Sequence, residues 1–283
     1  MKGADFLKNV FITGAAGLVG QNLIPLLRSN PDLTVIAADK HPTNTRLLRE
    51  LHPGLEVIEA DLSQPGAWQD RMGECEAVIL LHAQIGGLEE AEFTANNVTA
   101  TQHCLNAINR GGKTEYLIHV SSSVVNSMAD DFYTRSKTVQ EEMVKALDLP
   151  QVILRPTLMF GWFDRKHMGW LRRFMDRAPI FPIPGDGRYL RQPLYAGDFS
   201  AIIQACLEKR IEGVYNISGQ ERIDYIDLIR AMKQVTQSKT PIVTIPYGLF
   251  ALLLRTYAVF DRNPPFTVNQ LEALVTPDVF EVI

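Results

Sequence analysis

A tyrosine and a lysine four residues apart, Tyr133 and Lys137, are the side chains of this sequence best suited to move a proton. They stand at the start of a predicted helix that runs to about Leu147, and residues four apart lie on one helix face. An ammonium group beside a phenol favours the phenolate and lowers a phenol pKa of about 10 towards neutrality, which produces a general base. The same spacing also occurs by chance at the start of an amphipathic helix, so the pair needs support from elsewhere in the chain.

That support comes from three consecutive serines, Ser121, Ser122 and Ser123, which directly follow a short apolar run. A serine hydroxyl at this position can hydrogen bond the same substrate oxygen that Tyr133 deprotonates. Enzymes with parallel sheets bind their ligands at the carboxyl ends of the strands, where both features are expected. Together they indicate a proton transfer from a substrate hydroxyl group.

A glycine-rich turn, Thr13–Gly20 (TGAAGLVG), lies between a β-rich run and a helical pattern. Its glycines, Gly14, Gly17 and Gly20, recur at intervals of three residues. The missing side chains allow a tight turn and a close approach to a pyrophosphate, whose charge the amides and dipole of the next helix stabilise. A glycine triplet alone is also consistent with a merely structural turn.

Acidic residues at the ends of the second and third predicted strands favour a dinucleotide. Asp39 is placed to accept both hydroxyls of an adenosine ribose. Its carboxylate would repel a 2′-phosphate, so NAD is expected rather than NADP, although Lys40 and Arg46 nearby leave that choice open. Asp61 and Leu62 suit a contact to the adenine edge, and a solvated loop is the alternative for Asp61.

Short apolar runs alternate with helical patterns through the first half of the chain, as in a parallel sheet covered by helices on both faces. The predicted strands are Asn9–Thr13, Leu33–Ala38, Leu55–Ala60, Ala77–His82, Tyr116–Val120 and Gln151–Arg155. The expected fold class is α/β, a Rossmann-type doubly wound parallel sheet with a smaller C-terminal lobe. Residues 1–156, with returns near 193–217, would form the NAD-binding domain, and residues 157–192 and 218–283 the substrate-binding lobe.

Composition narrows the class of partner. The 283 residues are 46% hydrophobic and 21% charged, with 28 Lys and Arg against 32 Asp and Glu, which excludes a disordered chain and argues against nucleic acid as a partner. The three cysteines, Cys75, Cys104 and Cys206, have neither metal-ligand nor disulfide spacing, and no secretory signal is evident. The longest apolar run, Tyr247–Phe260, contains Arg255 and is too short for a transmembrane helix. A cytoplasmic protein with a small-molecule partner and no metal is therefore expected.

These motifs together resemble the extended short-chain dehydrogenase/reductase family, the NAD-dependent epimerase/dehydratase group. The resemblance covers most of the sequence and includes TGAAGLVG, Asp39, Asp61-Leu62, His82-Ala83, Asn97-Val98, the serine cluster, Tyr133/Lys137, Leu154-Arg155-Pro156 and Gln192–Asp198.

The resemblance implies a role for each matching residue. Tyr133 would be the general base and acid, Lys137 would tune it and hold the nicotinamide ribose, and Ser123 would orient the substrate hydroxyl, with Ser122 as the fallback. Asn97 would be a structural cap. Besides Tyr133 and Lys137, the implied cofactor contacts are Gly14, Gly17, Leu18, Val19, Gly20, Asp39, Asp61, Leu62, His82, Ala83, Ser121, Pro156 and Thr157.

The implied function is epimerisation of a nucleoside-diphosphate sugar through a transient keto intermediate. Arginines of the second lobe, Arg165, Arg188 and Arg191, suit its phosphates, and the aromatic residues among them suit its base; a solvated basic surface over core aromatics is the alternative. Two other functions stay open. One is a reductase or dehydrogenase of a nucleotide sugar or similar alcohol, and the other is a noncatalytic NAD-binding structural or assembly protein.

The sequence departs from the family pattern in two places. Only nine residues separate Ser123 from Tyr133, which predicts either an open pocket or a catalytic serine one position away. No Asp-Glu pair follows the serines, which disfavours dehydration. The sequence also stops earlier than relatives usually do, as a truncated chain would. A homodimer built on the helices near 97–109 and 133–147 is expected from the resemblance. The apolar residues Val139, Met143, Val144 and Leu147 suit that interface or the core equally well.

Overall fold

The computed structural model describes residues 7–126 and 131–260, together with Leu271 and Val275. Its strands are β1 (Asn9–Thr13), β2 (Thr34–Asp39), β3 (Glu56–Glu59), β4 (Ala77–Leu80), β5 (Tyr116–Val120), β6 (Gln151–Pro156), β7 (Met159–Phe160), β8 (Phe181–Pro184), β9 (Leu190–Arg191), β10 (Leu194–Tyr195), β11 (Gly213–Ile217), β12 (Ile223–Asp224) and β13 (Ile242–Ile245). Its helices are α1 (Leu18–Leu27), α2 (Pro42–Leu51), α3 (Trp68–Gly73), α4 (Glu90–Phe93), α5 (Ala100–Gly111), α6 (Phe132–Lys145), α7 (Met168–Arg177), α8 (Ala196–Lys209), α9 (Tyr225–Thr236) and α10 (Tyr247–Phe260). A π-helical segment, Thr94–Thr99, joins α4 to α5, and Ser123–Asn126 form a 3₁₀ helix.

Seven parallel strands form one sheet in the order β11-β6-β5-β4-β1-β2-β3. The strand order reverses at β1, which pairs with β2 on one side and β4 on the other, so that Val10 lies between Val35 and Ala77. This confirms the doubly wound α/β fold class. Ligands of such sheets bind outside the carboxyl ends of the strands at the reversal.

Helices cover both faces of this sheet, which explains why its central strands are largely apolar, with His119 of β5 as a buried exception. On one face, Leu23 of α1 and Phe199 of α8 are fully buried against the strands. On the other face, Trp68, Leu105 and Val144 from α3, α5 and α6 are buried. Apolar burial of this kind stabilises the sheet by about 1.5–3 kcal/mol per large side chain.

By its internal contacts, the chain divides into two units. The first unit includes the described residues up to Phe163 and Leu194–Ile217, and it contains the large sheet. The second unit includes Asp164–Pro193 and the described residues from Ser218 onward. The second unit contains the parallel pair β8/β13 and the antiparallel pair β9/β12.

The second unit has a core of its own and an unusual apolar cavity. Met175, Phe181 and Ile229 are almost completely buried in the core. Beside it is a cavity of about 520 Å³ lined by Trp170, Leu171, Phe174, Phe181, Pro182, Pro184, Tyr225, Ile245, Phe250, Leu253, Leu254 and Tyr257. Charge is also uneven, because residues 164–193 and 218–260 contain 12 Lys and Arg against 6 Asp and Glu.

Within the described ranges, every helix is too short or too polar to cross a lipid bilayer.

Candidate functional site

A cavity opens at the carboxyl ends of β1, β2, β3 and β4 in the first unit. It is lined by Gly14, Gly17, Asp39, Lys40, Ala60, Asp61, Leu62, Ser63, Leu81, His82, Ala83, Gln84, Asn96 and Ala100. Seven of the cofactor residues expected from the sequence are among them. The reversal of strand order brings these residues together, since the loops after β1 and β4 diverge to opposite faces of the sheet.

The glycine turn is fixed by contacts that leave no room for side chains at two of its three glycines. Gly14 has a φ of +60°, and a Cβ atom there would lie 2.8 Å from the backbone of His82. A Cβ at Gly20 would lie 2.2 Å from the carbonyl oxygen of Ala15. At Gly17, the residue before α1, a Cβ would meet only the carbonyl oxygen of Gly14, at 3.2 Å. Gly17 therefore keeps one side of the turn open towards the cavity.

The first turn of α1 is an anion site without a competing side chain. Leu18 and Val19 begin the helix, its cap residue Gly17 has no side chain, and no acidic residue lies in the first turn. The first amides of a helix have no partner within the helix, and its dipole places positive charge at this end. A negatively charged group in the cavity is favoured here.

Asp39 at the end of β2 holds the glycine turn. Its carboxylate accepts hydrogen bonds from the amides of Ala16 (3.0 Å) and His41 (2.9 Å), one on each oxygen. A carboxylate oxygen has a second lone pair, so both remain able to accept from ligand hydroxyls. Lys40 points its amine to the Asn96 side-chain oxygen, 2.5 Å away.

Asp61 stands one strand further along the same edge. The Ser63 hydroxyl and amide donate to its Oδ1 at 2.7 and 2.9 Å. Burial raises the pKa of this carboxyl, but the two Ser63 hydrogen bonds and the charge of Lys40 outweigh it and leave the pKa lowered. Asp61 is thus ionised at neutral pH beside the cavity.

Helix α6 starts where Asp131 caps it, because its side chain accepts a hydrogen bond from the amide of Thr134 at 2.7 Å. This places Tyr133 in the first turn. The phenol of Tyr133 hydrogen bonds with the hydroxyl of Ser122. Burial raises the pKa of Tyr133, the Ser122 hydrogen bond opposes that effect, and the charge of Asp131 adds to it. The expectation of a lowered phenol pKa is therefore wrong for this arrangement.

The Lys137 ammonium is completely buried. It donates to the carbonyl oxygen of Val120 at 3.0 Å and to the side-chain oxygen of Gln140. Burial lowers the pKa of Lys137 to about 7, while the charge of Glu141 acts in the opposite direction. Its proton is therefore exchangeable near neutral pH.

The three serines have different surroundings. Ser122 contacts Tyr133, whereas the Ser121 hydroxyl donates to Glu141 at 2.7 Å. Ser123 begins the 3₁₀ helix and is buried. Among the described residues, Ser122 is the serine that hydrogen bonds the phenol. The sequence expectation, that Ser123 or else Ser122 orients a substrate hydroxyl, stays a prediction.

Glu141 is the centre of a buried ion pair. Its carboxylate accepts hydrogen bonds from Arg155 on β6 (Nε at 3.0 Å) and from Lys145 at 2.7 Å. Burial raises its pKa, but these partners and Ser121 prevail and hold the pKa at about 2. The pair joins α6 to the ends of β5 and β6 and so positions the helix that carries Tyr133.

Three further expected residues also lie at the carboxyl edge. His82 follows β4 and lies against Thr13, with Nδ1 2.7 Å from the threonine hydroxyl. Pro156 ends β6, and the amide of Thr157 donates to the carbonyl oxygen of Ile217 at 2.9 Å. Asn97 is completely buried within the π-helical segment and bonds both backbone groups of Gln84. It therefore has a structural contact, but it does not cap a helix as expected.

The arginines expected to hold substrate phosphates lie in the second unit and differ in exposure. Arg165 and Arg188 are exposed, and Arg188 pairs with Asp224 at 2.9 Å. Arg191 is 4% exposed and lies over the ring of Tyr189 at 5.5 Å. Tyr189 itself stacks on Tyr225 in the core, so it is a core aromatic and is not available to stack on a base.

Sequence reasoning missed several residues of the site. Ser63, Gln84 and Asn96 line the cavity, and Gln140 holds Lys137. Ser63 follows Asp61 in an Asp-x-Ser pattern, a signal for an Asx turn that a closer reading would find. Gln140 has no such signal, since a glutamine on an amphipathic helix resembles a surface residue.

Comparison with known proteins gives a consistent result. The family model described as "NAD dependent epimerase/dehydratase family" matches residues 10–218. A low-salt glycan biosynthesis protein of Haloferax volcanii is 28% identical over 75% of this chain and 78% of its own length. A ceramide reductase of Caulobacter vibrioides is 26% identical over 84% of this chain and 73% of its own. The solved structure of UDP-glucuronic acid 4-epimerase from Bacillus cereus in complex with NAD aligns with a TM-score of 0.74 at 25% identity, covering 84% of this chain and 87% of that one.

Proposed function

The chain belongs to the NAD-dependent epimerase/dehydratase family, and from that membership we propose that it epimerises a nucleoside-diphosphate sugar through a transient keto intermediate. One observation carries the proposal. Ser122, Tyr133 and Lys137 stand at the carboxyl ends of β5 and its neighbours, on the same edge as the cavity that contains Gly17 and Asp39.

The residues around the cavity fit NAD. Asp39 would hold the adenosine ribose, the open face of Gly17 with the first amides of α1 would hold the pyrophosphate, and Asp61 and Leu62 would meet the adenine. Three strand spacings, about 14 Å, separate the ends of β2 and β5. A ligand that is held at Asp39 and reaches Ser122 must therefore be long and have two distinct ends. A dinucleotide has both properties. The carboxylate of Asp39 favours NAD over NADP.

NAD, when bound, supplies a hydride acceptor and donor at its nicotinamide ring. Tyr133 takes the hydroxyl proton as the sugar carbon is oxidised and returns a proton when the keto group is reduced. Ser122 holds the same oxygen through its hydroxyl. Because burial raises the pKa of Tyr133, a nearby positive charge is needed to release its proton. We expect Lys137, four residues along on the same face of α6, to supply that charge. Pro156 and Thr157 would border the nicotinamide.

Replacing Tyr133 by Phe tests the proton step. We expect epimerisation to fall at least about 100-fold because the variant has no group that exchanges the proton. NAD affinity, measured by isothermal titration calorimetry, should stay within about threefold, since Asp39 and the glycine turn are untouched. Tyr215→Phe, which also removes one phenol oxygen from the first unit, is the control. Undiminished turnover by Tyr133→Phe would refute the proposal.

We also propose that Arg165, Arg188 and Arg191 of the second unit serve the substrate phosphates. The exposure of Arg165 and Arg188 supports contacts with an anionic ligand, and Arg191 would act from a buried position beside Tyr189.

A reductase or dehydrogenase is the second candidate, and the apolar cavity of the second unit favours it. A cavity of about 520 Å³ lined by Trp170, Phe174, Leu253 and other apolar side chains suits a substrate alcohol with a hydrocarbon portion. The similarity to the ceramide reductase points in the same direction. A reductase consumes one added reduced cofactor per product, whereas an epimerase needs no net cofactor, so stoichiometry distinguishes the two.

A cytoplasmic homodimer completes the proposal. The three cysteines are free and buried, as suits a reducing compartment. Of the four apolar positions considered on and after α6, Val139 is 40% exposed, whereas Val144, Met143 and Leu147 pack into the core. The dimer contact therefore depends on Val139 and its exposed neighbours, and light scattering of Val139→Glu against the unmodified chain tests it.

A further inference from the structure

A buried row of hydrogen bonds begins at Lys137. Its ammonium donates to the side-chain oxygen of Gln140 (2.5 Å), and the Gln140 amide nitrogen lies 2.7 Å from the hydroxyl of Thr101. All three side chains are completely buried. The Thr101 hydroxyl then lies 3.0 Å from Nε2 of His82.

The row ends at the strand that precedes the glycine turn. Nδ1 of His82 is 2.7 Å from the hydroxyl of Thr13, the last residue of β1, and that hydroxyl also reaches the carbonyl oxygen of Ile79 at 3.4 Å. The row thus crosses from α6 through α5 to the ends of β4 and β1.

The Lys137 ammonium determines which group donates and which accepts in each hydrogen bond of this row. An ammonium group only donates, so Gln140 must turn its oxygen to Lys137 and its NH₂ to Thr101. Thr101 then donates to Nε2 of His82, which leaves the proton of His82 on Nδ1, directed at Thr13. Burial, with the charge of Lys137, lowers the pKa of His82 to about 3, which agrees with a neutral ring in this tautomer.

The complete burial of the Gln140 side chain at this position requires an explanation. Burying an amide is unfavourable unless it is hydrogen bonded, and an aliphatic side chain would occupy the space without that requirement. Both ends of the Gln140 amide are hydrogen bonded, one of them to the lysine. We propose that Gln140 is a positioning residue for Lys137, which holds the ammonium at the carboxyl end of β5 and couples it through Thr101 and His82 to the start of the glycine turn. The inference rests on the proposed function, in which Lys137 acts on Tyr133.

Within the part of the chain that the structure describes, few charged groups compete with Gln140 as a partner of Lys137. Glu141 on α6 is the charged group that affects Lys137, and its carboxylate is already bonded to Arg155 and Lys145. His82 and His119 face the lysine from β4 and β5, and burial keeps the pKa of both rings lowered, so they are neutral at pH 7. The oxygens of Gln140 and Val120 are then the direct partners of the ammonium.

Two replacements of Gln140 should shift the pKa of Lys137 in opposite directions. Gln140→Glu places a carboxylate on the ammonium and should raise the pKa of Lys137 by about one to three pH units. Gln140→Leu removes an acceptor and should lower it by about one unit. A merely structural residue would reduce activity in both variants without these opposite shifts.

The experiment measures Lys137 in two ways. Lysine labelled at ¹³Cε is titrated by NMR in the full chain, with the Lys137 signal assigned by its loss in Lys137→Met. The alkaline limb of the pH dependence of kcat is then measured with the same variants. The control is Glu142→Gln, which removes one exposed charge two residues further along α6. It should shift neither the NMR pKa of Lys137 nor the alkaline limb of kcat by more than about 0.2 pH units.

Matching opposite shifts in both measurements would support the inference. If neither measurement moves, Gln140 does not hold Lys137 and the inference is overturned. If the NMR titration shifts while the kcat profile does not, Gln140 holds the lysine but the proposed catalytic role of Lys137 fails. Should Gln140→Leu not fold, Thr101→Val takes its place, because it frees the Gln140 amide to turn and should shift the titration in the same direction by a smaller amount.

Discussion

At the scale of single residues, the three glycines of the turn have different purposes. Gly14 and Gly20 lie so close to the backbone of His82 and Ala15 that a methyl group would collide with protein. Gly17 has no such neighbour except one carbonyl oxygen. The motif therefore combines two glycines that the packing of the backbone requires with one, Gly17, that we propose serves the ligand.

Alanine replacements should separate these purposes. Gly14→Ala and Gly20→Ala should each lower the free energy of unfolding by at least about 2 kcal/mol, because backbone must move to accept the methyl group. Gly17→Ala should stay within about 1 kcal/mol of the unmodified chain but weaken NAD binding at least about tenfold. Urea unfolding and calorimetric titration measure the two effects. Equal losses of stability in all three variants would contradict this division.

The sequence predicts residues whose proposed roles follow from local spacing. It does not predict residues whose positions depend on contacts between distant parts of the chain. The glycine turn, Asp39 and the Tyr133/Lys137 pair could be singled out because their spacing, taken with the neighbouring strands and serines, forms a recognisable local pattern. The contact between Ser122 and the Tyr133 phenol could not be predicted, since it depends on how the chain turns after β5. The role of Gln140 could not be predicted for a similar reason, because its hydrogen-bond partners include a residue 58 positions away as well as one 3 positions away.

At the scale of elements, one carboxylate joins three of them. Glu141 on α6 binds Arg155 of β6 and Ser121 just after β5, and it is held with a pKa of about 2. A carboxyl group whose pKa is lower in the folded than in the unfolded chain stabilises the fold above its unfolded pKa, near 4.5. That stabilisation is lost as the pH falls towards 2.

Removing this charge should therefore have a pH-dependent effect on stability. At pH 7, Glu141→Gln should lower the free energy of unfolding by about 3–5 kcal/mol, because it leaves Arg155 partly buried without its partner. The difference from the unmodified chain should shrink as the pH falls from about 4.5 towards 2. Chemical unfolding across this range measures it, and Glu142→Gln, an exposed carboxylate, should differ by less than about 0.5 kcal/mol throughout. A deficit independent of pH would exclude the charge as its cause.

The strands and helices themselves were predictable where apolar residues form a run or recur at a regular spacing along the chain. Six of the seven strands of the sheet were predicted from short apolar runs, although in β3 that run is reduced to two apolar residues between glutamates. The two-residue strands β7, β9, β10 and β12 escaped prediction. Each consists of a few hydrogen bonds to a distant segment, and two residues are too few to show an alternating pattern.

At the scale of the whole molecule, every residue that lines the proposed NAD cavity belongs to the first unit. NAD should therefore slow amide hydrogen exchange in the first unit, at residues 14–20, 39–41, 61–63 and 81–84. At 100 times its Kd, NAD should add about 2.7 kcal/mol to the free energy of unfolding of the unit that binds it. Hydrogen-exchange mass spectrometry measures the pattern, with Gly17→Ala as the control. Protection centred on residues 164–193 instead would place the dinucleotide elsewhere.

The net charge of −4 describes neither part of the chain. Residues 164–193 and 218–260 of the second unit carry an excess of six positive charges, whereas residues 1–163 and 194–217, the first unit, carry an excess of seven negative charges. A diffusing anion thus meets attraction in one unit and repulsion in the other, although the protein as a whole migrates as an acid. Association of an anionic sugar substrate would slow as added salt screens that attraction, whereas capture of the dinucleotide, which depends on short-range amides, would change little.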